Sequence, residues 1–179
     1  YLDTREYANI ILAIRRDLRS EEWVKGRSKH SIVDWKFRGH GITVPDLDAS
    51  AKHYDTLKIG TVQPEVMFDS SKIADLQLYG KSPSAPFKAR IREVKQGPLT
   101  YEFIQPVEGN GIFKESLDRR GEGAIDMTFT VADLKAETAK LVGKGVKVAM
   151  SGTTKSGAFA YFDTRKKGGD VFIKLIEEK

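Results

Sequence analysis

One arrangement of residues occurs twice in this chain and limits what it can fold into. A strand-like run ends in Thr-Val, one residue intervenes, and an Asp-Leu pair opens an amphipathic helix. The two copies are GITVPDLDASAKHYDTLKIG, starting at Gly41, and AIDMTFTVADLKAETAKLVGKG, starting at Ala124. Asp46 and Asp133 hold the same place in the two copies, 133 − 46 = 87 residues apart. In the first copy Asp46 can cap the helix, Leu47, Ala51, Tyr54 and Leu57 fall on one side, and Gly60 follows as a stop. Strand-like runs come next in both halves: TVQPEVMF, ADLQLYG, KARIREVK and LTYEFIQPV in the first, VKVAMSG, AFAYFDT and DVFIKLIEE in the second. A unit that recurs at a fixed period packs against its neighbour to bury what it cannot bury alone. The chain therefore reads as an α+β fold, an internal duplication of a βαβββ unit.

The repeat sets the expected organisation. An N-terminal helix and its connection take 1–36, the first module 37–107, a connector 108–122 and the second module 123–179. The helix is expected in TREYANIILAIRRDLRS, where Tyr7, Ile10, Ile11, Ile14 and Leu18 recur at spacings of three and four. The connector, within VEGNGIFKESLDRRGEG, is rich in glycine and charge and reads as a loop. At 179 residues the chain suits one ordinary domain or two half-domains sharing a core.

Composition removes several kinds of chemistry. With no cysteine, disulfides, thiolate catalysis and thiolate zinc sites are excluded, and a cytoplasmic location is expected. No apolar run approaches the roughly 20 residues that cross a bilayer, and no leader pattern opens the chain, so a soluble, unexported protein without a membrane partner is expected. The net charge of +5 raises the question of nucleic acid. The clusters Arg15-Arg16, Arg119-Arg120 and Lys166-Lys167 are too short to track a phosphate backbone, and no nucleic-acid partner is expected. Lys88, Arg90 and Arg92 alternate along KARIREV and share one face. They read as a solvated sheet face, or as a site for a phosphate-bearing small molecule such as an acyl-CoA.

On these residues the chain resembles the vicinal oxygen chelate proteins, the superfamily of glyoxalase I, methylmalonyl-CoA epimerase, extradiol dioxygenases and bleomycin-resistance proteins. GITVPDLDASAKHYDTLKIG is similar to the family's opening signature, and GEGAIDMTFTVADL with SGAFAYFDTRKKGGDVFIKLIE to the closing half of its epimerase and glyoxalase-like members. The likeness covers about residues 37 to 177. It implies two paired βαβββ modules forming an open, cup-shaped mixed sheet, with the N-terminal helix as an extra. It also implies a divalent metal held in the cup by His or Glu from the first strand of each module and Glu from the last. Homodimers and a small-molecule substrate are further family expectations.

Carried over residue by residue, that metal set is degraded. The first-strand ligand of the family stands seven residues ahead of the Asp-Leu aspartate, which gives Gly39 here and Asp126 in the second module. His40 is one residue out of place. Strand alternation puts Gly39, Gly41 and Thr43 on the cup side and His40 on the other, unless a one-residue bulge brings it back. The end of the first module, TYEFIQP, places Glu102 at a ligand position, and the last strand offers Lys174, or Ile173 by a different count. A metal, if held at all, would use His40, Glu102 and Asp126, and the expectation is no cofactor or a weakly bound divalent metal. Lys174, if it points inward, would repel a cation and pair with Glu102 or Asp126 instead.

The expected catalytic residues are Glu102, Asp126 and Lys174. The two carboxylates would act as an acid–base pair and Lys174 would hold an enolate oxygen or, more boldly, form a Schiff base. Thr128, Phe159 and Tyr161 are the expected substrate-binding residues. The function implied is a glyoxalase-like lyase or isomerase, epimerase-type, working next to the carbonyl of a small molecule or acyl-CoA. The alternative is a metal-free binding or sequestering protein of the bleomycin-resistance type.

Overall fold

A computed structural model describes residues 2–3, 11–12 and 34–177. Ten strands form one mixed sheet: β1 Lys36–Thr43, β2 Thr61–Val62, β3 Val66–Asp69, β4 Ala74–Leu78, β5 Lys88–Gln96, β6 Leu99–Glu108, β7 Gly123–Val131, β8 Lys147–Thr154, β9 Gly157–Asp163 and β10 Phe172–Glu177. Three helices accompany them: α1 Leu47–Leu57, α2 Ile112–Arg120 and α3 Leu134–Gly143. The spatial order is β2-β5-β6-β1-β7-β10-β9-β8-β4, and β3 pairs with β5 on the same edge as β2. Within each half the first and last strands lie side by side and parallel, β1 with β6 and β7 with β10. The two first strands, β1 and β7, meet antiparallel at the centre. The expected α+β sheet of two βαβββ modules is what forms.

Local chemistry explains the helices. Asp46 accepts from the backbone N–H groups of Asp48 and Ala49, both at 3.0 Å, and Asp133 accepts from that of Ala136 at 2.8 Å. Each aspartate satisfies donors that a helix start leaves orphaned. The first helix stops two residues before its expected glycine, Gly60: Lys58 takes the left-handed conformation at φ 54°. Helices α1 and α3 cover the outer face of the sheet. Leu47 and Tyr54 of α1 pack on Ile42, Val44, Val94 and Phe103, while Leu134 of α3 packs with Val131, Ala160, Phe162 and Leu175.

The concave face carries the third apolar cluster, which includes Phe87, Ile104, Phe113, Phe159, Tyr161 and Phe172. Its continuity depends on β4. Strands β3 and β4 lie at opposite ends of the strand order, yet only residues 70–73 separate them. So short a link reaches about 17 Å at most, so the sheet must curl until its two edges nearly meet. Phe68 of β3 accordingly stands 5.7 Å from Phe87, 5.5 Å from Phe113 and 6.5 Å from Phe159 of the other half.

Two expectations change. The connector is not a loop: Ile112–Arg120 is helical, with Ile112, Phe113 and Ser116 buried. Its apolar residues, Ile112, Phe113 and Leu117, span less than two turns and give too little periodicity to announce a helix. The N-terminal segment expected as a helix lies outside the described residues except at Ile11–Leu12, which pair antiparallel with Leu2–Asp3. A short apolar run such as Ile10-Ile11-Leu12 suits either period, so its spacing alone does not fix a helix there.

Candidate active site

The cup encloses a cavity of about 250 Å³. Phe68, Ile91, Phe113, Phe159, Tyr161 and Ile176 make it largely aromatic and aliphatic, and Arg38, Glu93, Glu102 and Lys174 supply the charge. Lys174, not Ile173, faces inward; Ile173 packs with the outer cluster beneath α3. The Lys174 ammonium donates to the Glu102 carboxylate, joining the last strands of the two halves, and stands 5.5 Å from the Tyr161 ring centre. Burial alone would lower the pKa of Lys174, but the negative charge of Glu102 and its neighbours outweighs that and holds the ammonium above the ordinary lysine range. A protonated amine is no nucleophile, so the Schiff-base role does not fit Lys174 here.

Asp126 lies beneath this pair with no exposed surface. Its Oδ1 accepts from the Gly41 N–H at 3.1 Å and from the Thr128 hydroxyl at 2.7 Å, while its Oδ2 has no hydrogen-bond partner. Burial raises its pKa against the opposing pull of Lys174. Asp126 and Thr128 therefore belong to the charged cluster without opening into the cavity, whereas Phe159 and Tyr161 line it directly.

His40 lies on the other side of the sheet. Its Nδ1 is 3.2 Å from the backbone oxygen of Asp126, and its ring stands 5.2 Å from Phe37 and 6.3 Å from Tyr101. The bulge that was needed to turn it inward exists, but earlier: Phe37 pairs with Phe129 and Gly39 with Thr128, leaving Arg38 as the extra residue. That shift brings Arg38 into the cup and leaves His40 outside. Gly39, the other candidate position, cannot carry a ligand at all. At φ +153° a Cβ there would collide with the Thr100 carbonyl oxygen.

The residues present do not fit a divalent metal. Among the described residues no three His, Cys, Asp or Glu side chains converge as a metal would require. The proposed set of His40, Glu102 and Asp126 is split between the two faces of the sheet, and an ammonium already holds Glu102. The face of Lys88, Arg90 and Arg92 is also committed internally. Arg90 binds Glu65 at 2.8 Å and Asp48 at 2.9 Å, Arg92 reaches the same two carboxylates at 3.4 Å, and Lys88 binds Glu108 at 2.7 Å. These cations are neutralised by fixed partners and are not presented to a phosphate.

Several cup residues escaped sequence reasoning. Ile91 and Glu93 lie on the face of KARIREV opposite Lys88, Arg90 and Arg92, and strand alternation makes that face legible in the sequence. Glu93 sits directly across from Glu102 in the β5–β6 ladder, so two carboxylates share one wall. Phe113 comes from the unexpected helix, and Phe68 from the strand that closes the curl.

A profile of the glyoxalase/bleomycin resistance protein/dioxygenase superfamily matches residues 40–162. Solved structures with the same fold include methylmalonyl-CoA epimerase from Mycobacterium tuberculosis, 18% identical with a TM-score of 0.61, covering 85% of this chain and 95% of that one. A variant methylmalonyl-CoA epimerase from Streptomyces coelicolor, in complex with 2-nitronate-propionyl-CoA, is 17% identical with a TM-score of 0.59, covering 80% of this chain and 96% of that one. A mutant 4-hydroxymandelate synthase from Streptomyces coelicolor is 13% identical with a TM-score of 0.58, covering 81% of this chain and 49% of that one. Among curated sequences, mitochondrial uncoupling protein 2 of Arabidopsis thaliana is 26% identical over 116 residues, covering 64% of this chain; the chain spans only 38% of that protein's length. At that identity and share the likeness assigns nothing here. No helix among the described residues is long and apolar enough to cross a membrane.

Proposed function

We propose, for a chain that belongs to the glyoxalase/bleomycin resistance protein/dioxygenase superfamily, that the cup removes a proton from carbon next to the carbonyl of a small molecule, as a lyase or isomerase. The observation that carries this reading is the pairing of Glu102 with Lys174 in an apolar cavity. A carbonyl oxygen entering beside Lys174 takes over its ammonium as hydrogen-bond donor, which frees the Glu102 carboxylate. Glu102 then accepts the proton from the adjacent carbon, the electron pair of that C–H bond forms a carbon–carbon double bond, and the π pair of the carbonyl moves onto the oxygen. The resulting enolate is held by the Lys174 ammonium, whose attraction is strengthened by the dry surroundings. Glu102 returns the proton to a carbon of the same enolate, or the enolate reforms its carbonyl by breaking the bond to a leaving group one carbon further on, which departs with the proton from Glu102.

Asp126 and Thr128 act beneath the reacting groups as positioning residues. The volume of about 250 Å³ suits a small carbonyl compound, or only the acyl end of a thioester. The epimerase neighbours make a thioester a sensible member of a test panel. A second reading has its own support, because Glu102 and Lys174 neutralise each other and the remaining lining is mostly apolar: the cup encloses a ligand and does nothing to it, as a sequestering protein would.

Proton exchange separates the two. Small aldehydes, ketones and acyl thioesters incubated with the protein in D₂O should exchange the proton next to the carbonyl, seen by NMR. Glu102→Gln should lower that rate by about 100-fold or more while binding is retained. Binding by the wild-type protein with no exchange of any compound rejects the enzyme and leaves the binding protein.

A further inference from the structure

The sequence cluster Lys166-Lys167, too short by itself to grip a polyanion, is joined in space by a second pair of lysines. A separate cavity of about 500 Å³ lies on the outer face of the sheet, where the end of α3 meets the turn after β9. Lys144 enters it from the end of α3 and Lys147 from the start of β8, and Lys166 and Lys167 from the turn. Its apolar lining is Met127, Val146 and Ile173. The carboxylate that also lines it, Asp163, bonds Arg165 at 2.9 and 2.8 Å and also feels the charge of Lys147, its neighbour across the β8–β9 ladder, so it offsets only part of the positive charge here. Among the described residues none of the four lysines forms an ion pair, in contrast to Lys88, Arg90 and Arg92.

We propose that this groove binds a phosphorylated small molecule with an apolar body. Four exposed ammonium groups around one concavity repel one another, and a multivalent anion relieves that repulsion. The C-terminal end of α3 accounts for Lys144 and Lys147 alone, since cations favour that end of a helix dipole. Nothing of that kind draws Lys166 and Lys167 to the same opening from a segment that begins 166 − 147 = 19 residues further along. The floor gives the ligand its second property, because Met127, Val146 and Ile173 offer contact to carbon and not to charge. The volume is within the ordinary range for small-molecule sites and twice that of the cup. The groove stands independently of any chemistry in the cup: Ile173 and Met127 point out of the face opposite to Lys174 and Asp126.

The full chain should be titrated with inorganic phosphate and with phenyl phosphate, followed by NMR shifts of the backbone amides. Phenyl phosphate should bind more tightly than phosphate and shift residues 144–147 and 163–168. Lys166→Glu with Lys167→Glu, and separately Lys144→Glu with Lys147→Glu, should each weaken phenyl phosphate by about 10-fold or more. All four side chains are exposed, so these variants keep the fold, and Lys58→Glu on the far half should leave binding unchanged. Absence of saturable shifts in the wild type, equal binding of the two probes, or affinity untouched by either double variant overturns the proposal.

Discussion

Glu102 and Lys174 occupy equivalent places in the two halves of the sheet and bond to each other across it. Glu102 faces Gly41 in the β1–β6 ladder and Lys174 faces Thr128 in the β7–β10 ladder. Gly41 precedes Asp46, and Thr128 precedes Asp133, by the same five residues. One half thus contributes a carboxylate and the other an ammonium at matching positions, where two carboxylates would need a cation between them.

The pair should be worth more in its breaking than in its presence. Lys174→Met leaves a carboxylate, and Glu102→Gln leaves an ammonium, with little water to solvate it. Each single variant should lose about 2–4 kcal/mol, while the double variant should come within about 1 kcal/mol of the wild type. Urea unfolding of the four proteins closes the cycle. Additive losses would mean the two groups do not depend on each other.

Asp126 should make stability depend on pH. Its native pKa is raised above the ordinary 3.8, so between the two values the folded protein holds a proton that the unfolded chain releases. The stability this confers is full below the ordinary value and is lost as pH rises through the raised one. Asp126→Asn, which keeps an acceptor for Gly41 and Thr128, should flatten that fall. Melting temperatures of both proteins from about pH 4 to about pH 8 provide the check.

Gly39 and Gly41 should be intolerant of a methyl group for different reasons. Gly39→Ala meets backbone, the Thr100 carbonyl, in a conformation that alanine rarely adopts, and should cost about 3 kcal/mol or more. Gly41→Ala meets a side chain, the Asp126 carboxylate, which can move. It should cost less, about 1–3 kcal/mol, and Asp126→Gly should recover part of the loss. Chemical denaturation of the variants measures both.

Arg165 should fasten the far edge of the cup. It binds Glu115 of α2 at 2.6 Å and Asp163 at 2.8 Å and lies 4.5 Å over the Phe172 ring, while Glu115 accepts from the Tyr79 hydroxyl at 2.5 Å. Burial and Glu115 together push the Tyr79 phenol up to about 12. Glu115→Gln removes the charge and should bring the phenol back toward 10, which NMR titration of labelled tyrosine reads directly. Arg165→Met should destabilise the protein by about 2 kcal/mol.

The legible parts of the fold were those governed by local period. The two Asp-capped helices, the alternation that kept His40 off the cup side and the inward counts to Glu102 and Asp126 depend on neighbours in sequence, and the strands carry them. The rest depends on partners far along the chain. ADLQLYG reads as a strand, but nothing in it says that its Leu78 will face Met150 of the other half. The bulge that selects Arg38 is set by the register between β1 and β7, and the carboxylates that claim Arg90 and Arg92 come from α1 and from the stretch before β3. Lys174 was readable as a mismatch with a metal ligand and as a partner for Glu102 or Asp126; that Glu102 is the one it bonds was a matter of how the sheet curls.

The passage of β4 from one outer edge to the other makes this protein a poor candidate for division into halves. A fragment ending near residue 109 would carry a strand whose sheet partner among the described residues it lacks, and a fragment beginning there would expose the β8 edge that β4 covers. Each piece would hold what the other is missing. Mixed together, they should rejoin by strand donation, and separately expressed, each should seek that partner in another molecule.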